Sequence, residues 1–316
     1  MTLQSHTGPV EQTILPATRD LGDFSVRRAL PSAKRRMVGP FVFLDSFGPV
    51  VLRPGQGADT RPHPHIGLST LTYLIEGESE HRDSAGYVQT IRPGEVNLMT
   101  AGRGIVHSER SGVESRARTE TMFGFQAWLG LPSALEKTDP GFQHVAAGDV
   151  PVIADHGIEV RLLAGRFGGR QSPTNIFSET LYADVVLADG MCFPIESAHI
   201  ERAVYVVGGL IEVEGQTGRF GKDELVVFRP DTEIVVRAVG PTRLMVLGGE
   251  PLDGPRHIFW NFVSSRQERI DQAAADWRER RFPGVPGDDV EFIPLPETPP
   301  VSQPDHFLPQ PERPRT

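Results

Sequence analysis

Short apolar runs in this chain are broken again and again by its 33 glycines and 28 prolines, and only one stretch keeps a helical rhythm. That punctuation favours an all-β sandwich or barrel over alternating βα units, because Gly and Pro supply turns and are poorly tolerated inside helices. The runs Phe24 to Leu30, Phe41 to Leu44, Leu68 to Ile75, Val88 to Ile91 and Gly124 to Leu129 read as strands. So do Ile158 to Leu163, Leu181 to Val186, Ala203 to Val207, Leu225 to Phe228, Ile234 to Arg237 and Arg243 to Leu247. A faint repeat runs through them: Tyr73-Leu74-Ile75-Glu76-Gly77 is echoed by Tyr205-Val206-Val207-Gly208-Gly209, and Gly94-Glu95-Val96 by Asp223-Glu224-Leu225. Two copies of one β-domain follow. The single helix begins near Ser264 or Ser265, either able to act as N-cap with Gln267 or Glu268 completing a capping box. Its residues Ile270, Ala273, Ala274 and Trp277 share one face, and Asp276 with Arg280 is spaced for a surface ion pair. Pro283, Gly284 and Pro286 end it. Ten of the last 34 residues are Pro, a composition suited to an extended strap or tail, with Phe292, Ile293 and Leu295 favouring docking of its first part.

Bulk properties exclude several functions. A net charge of -9 argues against direct contact with nucleic acid, which needs clustered Lys and Arg to neutralise phosphates. The runs Lys34-Arg35-Arg36 and Arg278-Glu279-Arg280-Arg281 are short enough to be solvated surface. Cys192 is alone, so no intramolecular disulfide forms, and its place beside Phe193 suggests a small buried residue. No apolar run approaches the ~18 residues of a membrane span, and the first residues lack the features of a signal peptide. A cytoplasmic protein without membrane contact is expected.

Four candidate metal ligands come as two pairs, His63-Pro64-His65 and His107-Ser108-Glu109, with one residue inside each pair. In an extended strand residues i and i+2 point to the same face, roughly 7 Å apart, so each pair can act as a clamp. Three imidazoles and a carboxylate without thiolate suit a divalent first-row ion such as iron, manganese, nickel or zinc. At the offsets of the repeat, His63 and His65 fall on Ile195 and Ser197, while His107 and Glu109 fall on Val236 and Ala238, so the second copy is expected to be metal-free. His199-Ile200-Glu201 is the one displaced pair that could replace them.

From Pro62-His63-Pro64-His65 to Met99-Thr100-Ala101-Gly102-Arg103-Gly104-Ile105-Val106-His107-Ser108-Glu109, the chain resembles the pirin family of bicupins. Val26-Arg27-Arg28, Gly39-Pro40-Phe41, Leu44-Asp45-Ser46-Phe47-Gly48-Pro49, Thr72-Tyr73-Leu74-Ile75-Glu76-Gly77 and Gly249-Glu250-Pro251-Leu252 agree, and the likeness spans about residues 20 to 282. It implies two cupin barrels in tandem: a metal-binding barrel over residues 1–145, a metal-free barrel over 146–282 closed by a helix near 265–281, and a Pro-rich tail over 283–316. It also implies iron ligation by His63, His65, His107 and Glu109, with Fe(II) foremost and manganese, nickel, zinc or copper as other ions. Two positions depart from the pirin pattern: Ser69 stands where an acidic residue is usual, and Ile66 where Arg is frequent.

Some pirins resemble quercetinases, which open a flavonol ring with O₂ and release carbon monoxide. A flavonol hydroxyl is acidified when a cation binds it, and Glu109 would accept its proton as general base. Met99, Arg103, Tyr73 and Phe43 are the candidate pocket residues. The resemblance carries a second implication, an iron-dependent, redox-sensitive regulator that binds a transcription factor or metabolic enzyme, with Val26-Arg27-Arg28 in the implicated segment. The plainer expectation for Arg27 and Arg28 is an exposed strand face. A third reading, a purely structural ion, would suit tetrahedral zinc better than iron.

Overall fold

The computed structural model describes residues 8–20 and 24–297. Two barrels make up the chain, each a large antiparallel sheet closed by a four-stranded one. In the first, the large sheet runs Gly141–Val145, Val96–Thr100, Leu68–Glu76, Glu120–Gly130, Phe41–Leu52, Ser25–Leu30 and Ala17–Asp20. Its smaller sheet runs Thr60–His65, Ile105–Arg110, Ser79–Asp83 and Val88–Ile91. In the second barrel Val10–Ile14, Leu225–Phe228, Glu201–Gly208, Thr242–Gly249, Thr180–Leu187, Ile158–Phe167 and Val152–Asp155 face Cys192–Ile195, Ile234–Ala238, Leu210–Val213 and Phe220–Gly221. Every strand expected from sequence is present; most ends shift by a few residues, and the strand expected at Phe41 to Leu44 runs on to Leu52. The second barrel's edge strand comes from the start of the chain, across a division at residue 145, whereas the first barrel's lies just before it. Val10–Ile14, near the start of the chain, pairs with Leu225–Phe228 of the second barrel, as Gly141–Val145 pairs with Val96–Thr100 of the first.

The two large sheets pack back to back, which explains why their strands read as continuous apolar runs. Ala203, Tyr205 and Val207 turn to the shared core between the barrels, where they meet Leu71, Tyr73 and Phe125, while Val204 and Val206 turn into the second barrel's interior. Alternating faces of one strand thus serve two cores. This parity settles Tyr73: it points away from the first barrel's interior, and its hydroxyl donates to Asp184 Oδ2 at 2.6 Å across the interface. Arg243 holds the same carboxylate through two bonds.

The helix spans Gln267–Arg278 and buries Ile270, Ala273, Ala274 and Trp277. Its N-cap is Arg266, not Ser264 or Ser265, and it receives no side-chain cap bond. Both serines are engaged by buried Glu136, which accepts from Ser264 Oγ at 2.8 Å and from the Ser265 amide at 2.6 Å. Asp276 pairs with Arg281 at 2.7 Å, while Arg280 lies 4.2 Å over the Phe292 ring, so the expected Asp276–Arg280 pair does not form. Residues up to 297 of the tail run as a docked strap: Trp277 Nε1 donates to the Ile293 carbonyl and the Ile293 amide to the Pro62 carbonyl. The remaining tail positions, 298–316, lie outside the described residues. Cys192, expected to be buried, is exposed, because strand alternation turns Phe193 and Ile195 inward instead.

Candidate metal centre

Thr60–His65 and Ile105–Arg110 are antiparallel neighbours, and their register sets His63 directly opposite His107. The ligating nitrogens of His63, His65 and His107 all lie within 4.8 Å of one another, and the three residues are buried. Each ring's outer nitrogen is tied down. His63 Nδ1 donates to the Arg61 carbonyl at 2.8 Å and His65 Nδ1 to the Asn261 carbonyl at 3.2 Å. A carbonyl oxygen can only accept, so these Nδ1 atoms carry the hydrogens and the Nε2 lone pairs stay bare. Burial keeps the rings neutral: it holds His63 down to about 4, and His65 and His107 well below the ordinary imidazole value. His65 Nε2 presents its lone pair to His107 Nε2 at 3.1 Å, a contact that either a hydrogen on His107 or a bound cation can satisfy. The donor set therefore fits a divalent ion.

Glu109 follows His107 on the same strand, but a bulge separates the two, so Glu109 pairs with Thr60. Its carboxyl stands outside the 4.8 Å trio. Glu109 Oε1 instead accepts from Thr72 Oγ1 at 3.2 Å and Gln126 Nε2 at 3.5 Å. Burial pushes the Glu109 carboxyl above the ordinary range, against the pull of His81, Thr72 and Gln126.

Glu109, His63 and His65 share a cavity of 470 Å³. Phe43 lines it and stacks on Trp128 with ring centroids 3.8 Å apart. Arg28 lies 4.4 Å over the outer face of Phe43 and grips Asp45 with two bonds of 2.9 and 2.8 Å. Asp45 still titrates higher than an ordinary carboxyl because burial outweighs the guanidinium. Of the four residues expected in the pocket, Phe43 is there and three are elsewhere. Tyr73 faces the other barrel. Met99 is packed against Phe43, Trp128 and Leu68 rather than lining the cavity. Arg103 is exposed and paired with Asp139. Arg27 and Arg28 are not a free strand face, since Arg27 reaches Asp223 of the second barrel at 3.2 Å and Arg28 lines the cavity.

Two residues at the centre escaped the sequence reading. His81 and Asp83 lie on Ser79–Asp83, next to the ligand strand, with His81 opposite Glu109 and Asp83 opposite His107. His81 Nδ1 is 3.3 Å from His107 Nδ1, and His81 Nε2 is 2.9 Å from Asp83 Oδ2. The signal was a His-x-Asp pair of one strand parity, hidden in the charged run Glu78-Ser79-Glu80-His81-Arg82-Asp83.

The second barrel shows what these positions become without a metal. Its Phe193 pairs with Val236 as His63 pairs with His107, and its Ile195 pairs with Ile234 as His65 pairs with Ile105. The register thus sets His63 and His65 against Phe193 and Ile195, two residues earlier than the repeat offset suggested. Pairing with Ala238 and Val236 likewise makes Ile211 and Val213 the counterparts of His81 and Asp83. Thr72, Gln126 and Asp45 correspond to Val204, Val246 and Ala183. These counterparts are all apolar and buried in one core. His199 and Glu201 form no substitute clamp, because Glu201 is taken by Arg35 and the Gly39 amide.

Residues 23–129 match the Pirin family and residues 182–283 the Pirin C-terminal cupin domain. The chain belongs to the pirin family. A pirin-like protein of Caulobacter vibrioides is 46% identical over 283 residues, covering 88% of this chain and 96% of that protein. Among solved structures, a quercetin 2,3-dioxygenase from Acinetobacter baumannii superposes with a TM-score of 0.84 at 32% identity, over 92% of this chain and 97% of that one. A bacterial pirin from Escherichia coli in complex with nickel(II) shares the fold, with a TM-score of 0.61 at 18% identity, over 76% of this chain and 99% of that one. Ile66, where pirins frequently carry Arg, is buried here among Phe262, Ile270 and Trp277 under the C-terminal helix. Its side chain anchors that helix to the strand bearing the ligands.

Proposed function

We propose that this pirin is a mononuclear-metal oxidoreductase that opens a flavonol-type ring with O₂, with iron(II) as its working ion. The observation that carries the reading is the convergence of three buried, neutral imidazoles beside a 470 Å³ aromatic cavity that also holds Glu109. His63, His65 and His107 would hold the ion, and Glu109, which lines the same cavity, would join them or act on the substrate. A bound divalent ion would supply Lewis acidity to a hydroxyl and an electron path to O₂. The chain's own groups account for the rest. Phe43 and Trp128 line the cavity with aromatic, apolar surface suited to a planar substrate, and a few placed polar groups orient it, as small-molecule sites require. Glu109 takes the flavonol 3-hydroxyl proton, and burial strengthens it as a base by destabilising its anion. Thr72 and Gln126 keep its acceptor oxygen in place. Both atoms of O₂ enter products, one ring carbon leaving as carbon monoxide and the remainder staying as the ring-opened ester.

Iron(II)-loaded protein mixed with quercetin should bleach the flavonol absorbance with matching O₂ uptake, and His63→Ala should abolish both. Iron-loaded native protein that leaves quercetin and its near relatives untouched would overturn the assignment.

A further inference from the structure

Each ligand imidazole must keep its metal-facing nitrogen free of hydrogen, and the three are controlled in different ways. His63 and His65 meet backbone carbonyls, which can only accept. His107 meets another imidazole, His81, which could donate or accept. Something must decide which. We infer that Asp83 and His81 are positioning residues for the metal centre: Asp83 fixes the hydrogen of His81 on Nε2, and His81 in turn fixes that of His107 on Nδ1.

The inference rests on the metal-centre reading and on four observations. Asp83 Oδ1 accepts from the amides of Ala85 and Tyr87 at 2.9 and 3.1 Å, which aims Oδ2 at His81 Nε2. A carboxylate oxygen accepts, so in the neutral ring the hydrogen sits on His81 Nε2 and the lone pair on Nδ1. That lone pair lies 3.3 Å from His107 Nδ1 and receives its hydrogen, leaving His107 Nε2 bare toward His65. His81 is kept in plane by Phe142, stacked on it at 4.5 Å and 25°. The strand itself does not require the His81–Asp83 contact, because the second barrel builds the corresponding strand with Ile211 and Val213. Burying a His–Asp pair where two aliphatic residues suffice costs stability unless the pair serves the site.

Asp83→Asn makes a sharp test. The amides of Ala85 and Tyr87 retain the Asn oxygen, so its NH₂ faces His81 Nε2 and donates to it. The His81 hydrogen must then move to Nδ1, and the His107 hydrogen to Nε2, where it blocks the ion. Nickel(II) affinity, measured by chelator competition, is expected to fall by about 10–100-fold, the usual effect of losing a partner behind a ligand. His81→Phe should lose a similar amount while keeping the stack on Phe142, and His81→Gln, whose side-chain oxygen can accept, should bind more tightly than His81→Phe. Ring-nitrogen NMR of the metal-free chain should show His107 Nε2 without hydrogen in the native protein and with hydrogen in Asp83→Asn. Native-like nickel affinity, within about twofold, in both Asp83→Asn and His81→Phe would overturn the inference. So would a native metal-free chain carrying its His107 hydrogen on Nε2. That nitrogen measurement needs no metal, so a native chain that takes up no ion would sink the metal-centre reading while leaving this one decidable.

Discussion

Burying three neutral imidazoles together gives the metal-free chain a specific acid sensitivity, which can be worked out for His63. Its folded value is about 4 against 6.5 for an ordinary imidazole. At neutral pH neither state binds the proton, so His63 is indifferent to folding. As pH falls below 6.5 the unfolded chain takes up a proton that the folded chain refuses, and stability drops until the folded value is passed. The linkage relation gives a loss of about 2 kcal/mol between pH 7 and pH 5, and about 3 kcal/mol once both states are protonated. His65 and His107 shift in the same direction and add to the slope. Urea unfolding of chelator-treated protein at pH 7 and pH 5, alongside His63→Gln, isolates the contribution. The variant should lose about 2 kcal/mol less than the native chain over that interval. Equal losses in the two proteins would mean that His63 is not buried neutral, and the neutral donor set would lose its support.

Three further outcomes follow from other parts of the molecule. Glu109→Gln should lower flavonol turnover by about 10²–10⁴-fold through loss of the proton acceptor, and unchanged turnover with full metal content would remove Glu109 from the chemistry. Glu136 is buried, 3.2 Å from both Arg256 and Arg269 and bonded to Ser264 and Ser265, so Glu136→Ala should cost about 3–5 kcal/mol in urea unfolding by removing the carboxylate that these buried groups share, although Arg256 keeps Asp253; a loss below about 1 kcal/mol would show that the cluster relaxes. Phe193→Ala should cost about 3–5 kcal/mol through its cavity yet leave metal binding by the first barrel unaltered, and a parallel fall in metal content would contradict the independence of the two interiors.

Much of the fold was legible because a strand buried on both faces is a strong sequence signal. Ala203 to Val207 and Arg243 to Leu247 read as strands for that reason, and both faces do find cores. Leu210–Val213 went unread: Glu212 interrupts its four residues and Gly208-Gly209 and Gly215 bound them, so it reads as part of a loop. The ligand histidines were legible because i, i+2 spacing survives translation into a strand. Parity relative to the barrel was not, and it decided that Thr72, not Tyr73, faces the cavity. Cross-strand partners were equally hidden. His81 acquires meaning only when antiparallel register carries it beside His107, and Glu136 only when the chain brings it to Ser264 and Ser265, more than a hundred residues away.

The two barrels together separate what the architecture needs from what the site needs. Both use the same ladder of strands, yet at the interior positions compared, one presents three ligand histidines with Asp45, Thr72, His81, Asp83, Glu109 and Gln126, and the other only aliphatic residues and Phe193. Desolvated polar groups oppose folding unless they are paired. The first interior pairs them unevenly: Asp83, Asp45 and Glu109 each have partners, whereas His65 Nε2 and His107 Nε2, turned to the centre of the ligand set, meet only each other. Since the neighbouring barrel demonstrates that an apolar filling closes this architecture, the cost of burying those imidazoles is not imposed by the fold. A cation held by all three would repay it, and the place where the first interior is least satisfied as protein is the place where an ion fits.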